Sequence, residues 1–305
     1  MYPLVFCSVT KHREPLKNSE ARPLLRSLFQ KAIRRGWADV AERAAFKLGS
    51  RGDSIWLNSR IGVIIFEESW QRAGLLLRNA PATVTLREIA YSSKNKDAAG
   101  LGAMAYALLE GHLSTLDHAP DLLALKIVAA ALKRPEGFFE WAEGQCSNEE
   151  QLSITLAAKQ YFSRASWPWD KAFMAAGAYL SLKSDIPLAT YAEPPREIAF
   201  PYWVAVDKHT PQGKVALRKV ASVMGIPDIK LQWISFYLES AKTANLSFSP
   251  WWECETRWRL SEIGLTEATA ADLWDTASPL VQATVSESTD LLRLLIEECD
   301  GYSLC

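Results

Sequence analysis

The chain has few cysteines, and those it has are scattered. Cys7, Cys146, Cys254, Cys299 and Cys305 are odd in number and form no C-x-x-C pair. Such a set suggests neither a zinc site nor a disulfide framework, so no metal is expected and a reducing, cytoplasmic setting fits. Long apolar runs are also missing. None approaches the ~18 residues of a membrane span, and residues 1–9 (MYPLVFCSV) are too short for a signal peptide. No membrane partner is expected. Nor does one sign of charge dominate: 34 Lys and Arg stand against 35 Asp and Glu, a net charge of −1. That excludes a globally basic nucleic-acid binder but leaves a local patch open. Catalytic signatures are missing too: there is no G-x-S-x-G, no H-E-x-x-H and no paired-Cys constellation. No cofactor is expected.

What is present is helical periodicity. Residues 23–35 (PLLRSLFQKAIRR) put Leu25, Leu28, Phe29, Ala32 and Ile33 on one face and Arg26, Gln30, Lys31 and Arg34 on the other. Pro23 suits a first turn and Gly36 a stop. Residues 38–48 repeat the pattern, and Ser54 can cap a third helix. Three amphipathic helices on short loops pack as antiparallel neighbours. Further helices are expected after the Thr85/Glu88 capping box, from Asp97, after Pro120–Asp121, after the Ser147/Glu150 box and from Trp169 to Leu182. The Ala/Gly face of residues 98–111 allows close helix approach. Residues 134–147 read as a loop, and 202–206 (YWVAV) as the one conceivable strand. Thr210-Pro211, Ser249-Pro250 and Ser278-Pro279 each match an N-cap followed by Pro at N1.

The expected fold is all-α, a multi-helix bundle or superhelix. Residues 184–201, with four prolines, read as a linker between an N-terminal helical domain (1–183) and a Trp-rich helical domain (202–305).

Two places stand out for charge. Residues 11–35 hold eight Lys and Arg against Glu14 and Glu20, which points to polyanion contact or to a solvated helix face. Residues 207–214 (DKHTPQGK) end in Gly-Lys, yet Val215 stands where a Walker A loop needs Ser or Thr. The stretch reads instead as a capped helix start, where Lys208, His209 and Lys214 can seat a phosphate beside free amides. Asp207 and His209 can also be read as an acid/base pair, with no nucleophile motif beside them. Eight of the twelve tryptophans lie from Trp167 onward, and "SPWWECETRWRL" mixes them with Arg257 and Arg259. Exposed, such rings stack bases or anchor partners. Helical spacing puts most of them in the core. Arg51-Gly52-Asp53 reads as a turn.

The segment "FQKAIRRGWADVAERAAFKLGSRGDSIWLNSRIGVIIFEES" resembles the C-terminal helical region of the replication-associated recombination ATPases (RarA/MgsA type). It is also similar to the collar helices of clamp-loader subunits. It shares a helix ending in a short turn, an Ala-rich helix, a Gly-containing turn and a third helix closing on Glu67-Glu68. With the later helices, the likeness covers residues 20–135. No Walker motif precedes it. The resemblance implies a collar-like oligomerisation part without a motor, and it transfers no functional residue.

The expected function is a non-catalytic accessory or oligomerisation module in DNA replication, recombination or repair. It would contact DNA, a partner ATPase or both, and can form a homo-oligomer. Arg26, Lys31, Arg34 and Arg35 would give one set of phosphate contacts, and Lys208, His209 and Lys214 a second. A protein-interaction scaffold, and an enzyme using Asp207 and His209, are the alternatives.

Overall fold

A computed structural model describes residues 17–78, 82–183 and 199–297. Residues 1–16, with Cys7, and residues 184–198, on which the linker expectation falls, lie outside the described residues. The fold is all-α: among the described residues the only β-type pairings are two isolated bridges, Ser69–Asn95 and Lys94–Leu246.

The helices run in the order α1 (Asn18–Arg34), α2 (Ala38–Ser50), α3 (Ser54–Glu68), a 3-10 segment (Trp70–Leu77), α4 (Ala82–Tyr91), α5 (Asp97–Leu109) and α6 (Thr115–His118). Then come α7 (Leu122–Lys133), α8 (Pro135–Gln145), α9 (Glu149–Arg164), α10 (Pro168–Ser181) and a 3-10 turn (Tyr202–Ala205). The chain ends in α11 (Pro211–Met224), α12 (Asp228–Ser235), a π turn (Phe236–Ser240), α13 (Pro250–Glu262) and α14 (Glu267–Glu297). No helix among the described residues is long and apolar enough to cross a membrane.

α5 is buried nearly all round, against α7, α10 and α13. Its small residues permit this. A Cβ on Gly100 would lie 2.4 Å from the Trp251 carbonyl of α13, and one on Gly102 2.7 Å from the Ala172 carbonyl carbon of α10. α13 then sets Trp258 at the centre, where its indole N–H donates to Ser114 Oγ at 3.0 Å. One apolar core joins the two sides of the proline-rich segment: Leu24, Phe66 and Met104 share it with Trp251, Trp258, Val285 and Leu292. A second core, with Leu217, Leu231, Ile234, Trp274 and Val281, ties α11, α12 and α14 together. Of the twelve tryptophans only Trp141 and Trp167 are exposed.

Several local expectations change. Residues 135–145 are helical, because Pro135 fits an N1 position and Phe138, Phe139 and Ala142 are buried on one side. Residues 202–205 form a 3-10 turn, not a strand. α4 begins before Thr85, so no capping box forms there. Asn148, not Ser147, caps α9 by accepting from Gln151 N. Pro279 lies inside α14, so Ser278 starts nothing. Ser249 precedes α13, but its Oγ accepts from Lys96 N at 3.1 Å rather than from the helix it precedes. Thr210 does cap α11: its Oγ1 accepts from Gly213 N at 3.1 Å.

Candidate functional site

The cations of α1 point inward. Arg26 forms a two-pronged pair with Asp53 at 2.6 and 2.7 Å and lies over the Trp56 ring. Lys31, 4% exposed, meets Asp207 at 2.5 Å. Arg34, also 4% exposed, binds Glu68 at 2.5 Å and Glu67 at 2.7 Å, and donates to the Ser240 carbonyl. Arg35 holds Glu239 at 2.8 Å. The expected phosphate contacts at Lys31, Arg34 and Arg35 are therefore corrected: these side chains are interior and occupied. The basic run seemed unbalanced because its acids lie far off in the chain, on α3, in the 207–210 turn and in the π turn. Buried charge persists only where it is paired in this way.

Asp207 sits at the centre of this network. Ser240 Oγ donates to it at 3.0 Å, the His209 amide at 2.9 Å, and His209 Nδ1 lies 2.9 Å from its other oxygen. Burial alone would raise its pKa, but Lys31 and His209 outweigh that and hold the carboxyl well below the usual range. The void beside it is about 10 Å³, room for one water at most. With its lone pairs occupied, Asp207 is placed as a structural hub that joins α1, the 207–210 turn and the π turn.

Of the second anion set, His209 and Lys214 reach the surface and Lys208 is half-buried. His209 is exposed, at the lip of α11, with its ring against Phe236 (centroids 6.0 Å apart). Lys208 rests on two rings, 3.6 Å from Trp233 and 4.2 Å from Phe236, and burial brings its pKa down to about 8. Lys214 is exposed on the first turn of α11. The sequence reading did not include two neighbours: Arg218 and Lys219, one turn further on, are exposed as well. Pro211–Met224 contains no acid, and the nearest carboxylate to Arg218 is Asp228, at 3.9 Å. Their spacing from Lys214 (i+4 and i+5) was the available signal.

No family model, curated protein or solved structure matches this chain. The site's own geometry therefore carries the functional reading.

From the rings under Lys208 and His209 runs a line of half-buried rings and cations. From Phe236 it passes to Trp233 (6.0 Å), to Arg259 (5.5 Å), to Trp169 (5.2 Å) and to Tyr106 (5.1 Å). Arg259 is steadied by Glu255 at 3.5 Å and by the Trp258 ring at 4.1 Å. These residues come from α5, α10, α12, the π turn and α13, so no stretch of sequence displays the line. "WWECETRWRL" displays only its middle member, Arg259.

Proposed function

We propose that the chain is a non-catalytic accessory module that contacts nucleic acid through the outer face of α11 and the ring line beside it. The observation that carries this reading is the grouping of Lys214, Arg218 and Lys219 on an acid-free helix, next to Lys208 and His209, in a chain of net charge −1. Exposed cations in such a cluster release counterions on meeting phosphates. The neighbouring aromatics favour single strands, whose unstacked bases have faces to offer. Lys208 covers the Trp233 face; a phosphate drawing it off would free that ring for a base. The setting in replication or recombination, a partner ATPase and a homo-oligomer rest on the resemblance of residues 20–135 to collar helices.

The test is fluorescence anisotropy with labelled single-stranded and duplex DNA across a salt series. Single-strand binding is expected to weaken with salt. Replacing Lys214, Arg218 and Lys219 by Glu should abolish it, and replacing each by Gln should lower the log–log salt slope by roughly 2. Unchanged binding in the triple Glu variant would remove α11 as the interface.

A further inference from the structure

A second basic site lies away from α11, where α3, the 3-10 segment Trp70–Leu77 and α9 meet. An open cleft of about 610 Å³ lies there, within the size range of small-ligand sites. Its chemistry is divided. Ile61 and Leu76 give it an apolar wall with Ile55 exposed at its rim, and Tyr161 of α9 adds an aromatic ring. Two exposed arginines, Arg78 and Arg164, line the same space. Arg164 lies over the Tyr161 ring, 5.4 Å from its centroid. Among the described residues Arg78 has one loose ion-pair partner, Glu88 at 4.0 Å.

The ring is held in place by the backbone. A Cβ on Gly62 would stand 2.0 Å from the Tyr161 ring, so α3 can carry only glycine there if the ring is to lie against it. Asn58 and Ser59, one turn earlier on α3, also line the cleft, and their side chains have no hydrogen-bond partner among the described residues. A second hollow of about 470 Å³ adjoins it through Leu75 and Arg78 and brings in Arg72. The cleft thus joins apolar side chains, hydroxyl and amide groups, and two guanidiniums; that of Arg164 is steadied by the Gln160 side-chain oxygen and can exchange this neutral acceptor for a phosphate.

We propose that this cleft binds a nucleoside phosphate: the phosphate, held between Arg78 and Arg164, draws Arg164 off the Tyr161 ring, and the base takes that face beside the apolar side chains. The ligand is a free nucleotide or the phosphorylated end of a strand. The two share this chemistry and differ only in what lies beyond the sugar. The proposal does not depend on the α11 interface.

Isothermal titration of the full chain with ADP, and separately with a short oligothymidylate carrying or lacking a 5′-phosphate, tests it. Binding of ADP is expected, weakened about tenfold or more by either Arg78→Ser or Arg164→Ser. It should also weaken in Tyr161→Leu and be untouched by the α11 variants. Binding of the 5′-phosphorylated oligomer alone, with the same arginine dependence, would support the site and assign it to strand ends. Failure of both probes to bind would overturn the proposal. So would binding that survives Arg78→Ser/Arg164→Ser in a chain whose melting transition matches wild type.

Discussion

Lys31 and Asp207 show what one buried pair does for this fold. Both are nearly inaccessible, and Asp207 also collects Ser240, His209 and Ser27. Lys31→Met would leave the carboxylate buried and short of its main counter-charge. A loss of about 3–5 kcal/mol is expected in urea unfolding, the usual cost of orphaning a buried ion. A loss under ~1 kcal/mol, at the level of surface pairs, would show that water reaches Asp207 after all. Asp97 is a case of opposite sign. Burial lifts its pKa to about 6, although Trp251 N donates to it at 2.8 Å. The folded chain therefore holds this proton more tightly than the unfolded chain, whose Asp titrates near ~3.9. The contribution to stability is fully present below about pH 4 and is lost as pH rises through about 6. Asp97→Asn keeps an acceptor for Trp251 N and removes the titration. The variant's melting temperature relative to wild type should rise between pH 4 and pH 7; a constant difference would mean that Asp97 does not titrate in that window. Side-chain fates of this kind were the least legible part of the sequence. Arg34 and Lys31 look solvent-facing on a helical wheel, because their acidic partners are set by tertiary contacts that no local spacing reveals.

Helices were far more legible, because period and capping are local. Thr210-Pro211, Asp121 and the α1 apolar face all act in the structure as their chemistry suggests. Where the reading failed, packing overrode local signals. α8 carries Gly137 and Gly144, which read as loop residues, yet Phe138, Phe139 and Ala142 anchor it as a helix. α14 passes through Pro279 despite the lost donor, held by Ala277, Val281, Val285, Leu292 and Ile296 along one side. α5 is the element on which most packing depends, and its small residues were visible as a close-approach face. Gly100 is the sharpest test. An added Cβ would meet the α13 backbone, which cannot rotate aside as a side chain can. Gly100→Ala should cost about 1–3 kcal/mol as overpacking, even though alanine is the better helix former. Denaturant unfolding followed by tryptophan emission would report it, since Trp251 and Trp258 move with α13. A gain in stability would mean that α13 does not seat against α5 at this distance.

At the scale of the molecule, proline content suggested a boundary at 184–201, while the contacts run across it. Arg34 reaches the Ser240 carbonyl, Arg35 reaches Glu239, and the Ala244 amide donates to the Arg34 carbonyl. Asn95 and Lys96 bond Phe248 and Ser249, and Trp258 reaches Ser114. Composition marks where a chain can turn but carries no information on what packs on what, so a shared core was not readable there. It has a measurable consequence. If a protease site is placed within residues 184–198 and cut, covalent continuity is lost but the shared core is not. Separation would strip Trp251 and Trp258 from α5, a large hydrophobic penalty. The crossing ion pairs are buried, so salt screens them little. The cut protein should therefore elute as one species of the intact size in both low and high salt, and should unfold in one transition. Fragments that part on raising salt would mean that exposed charge, not core, joins the halves; fragments that part at low salt would mean two independent domains. Co-elution at both salts would also fix the α11 interface and the α3–α9 cleft on one cooperative body, able to engage the same strand together.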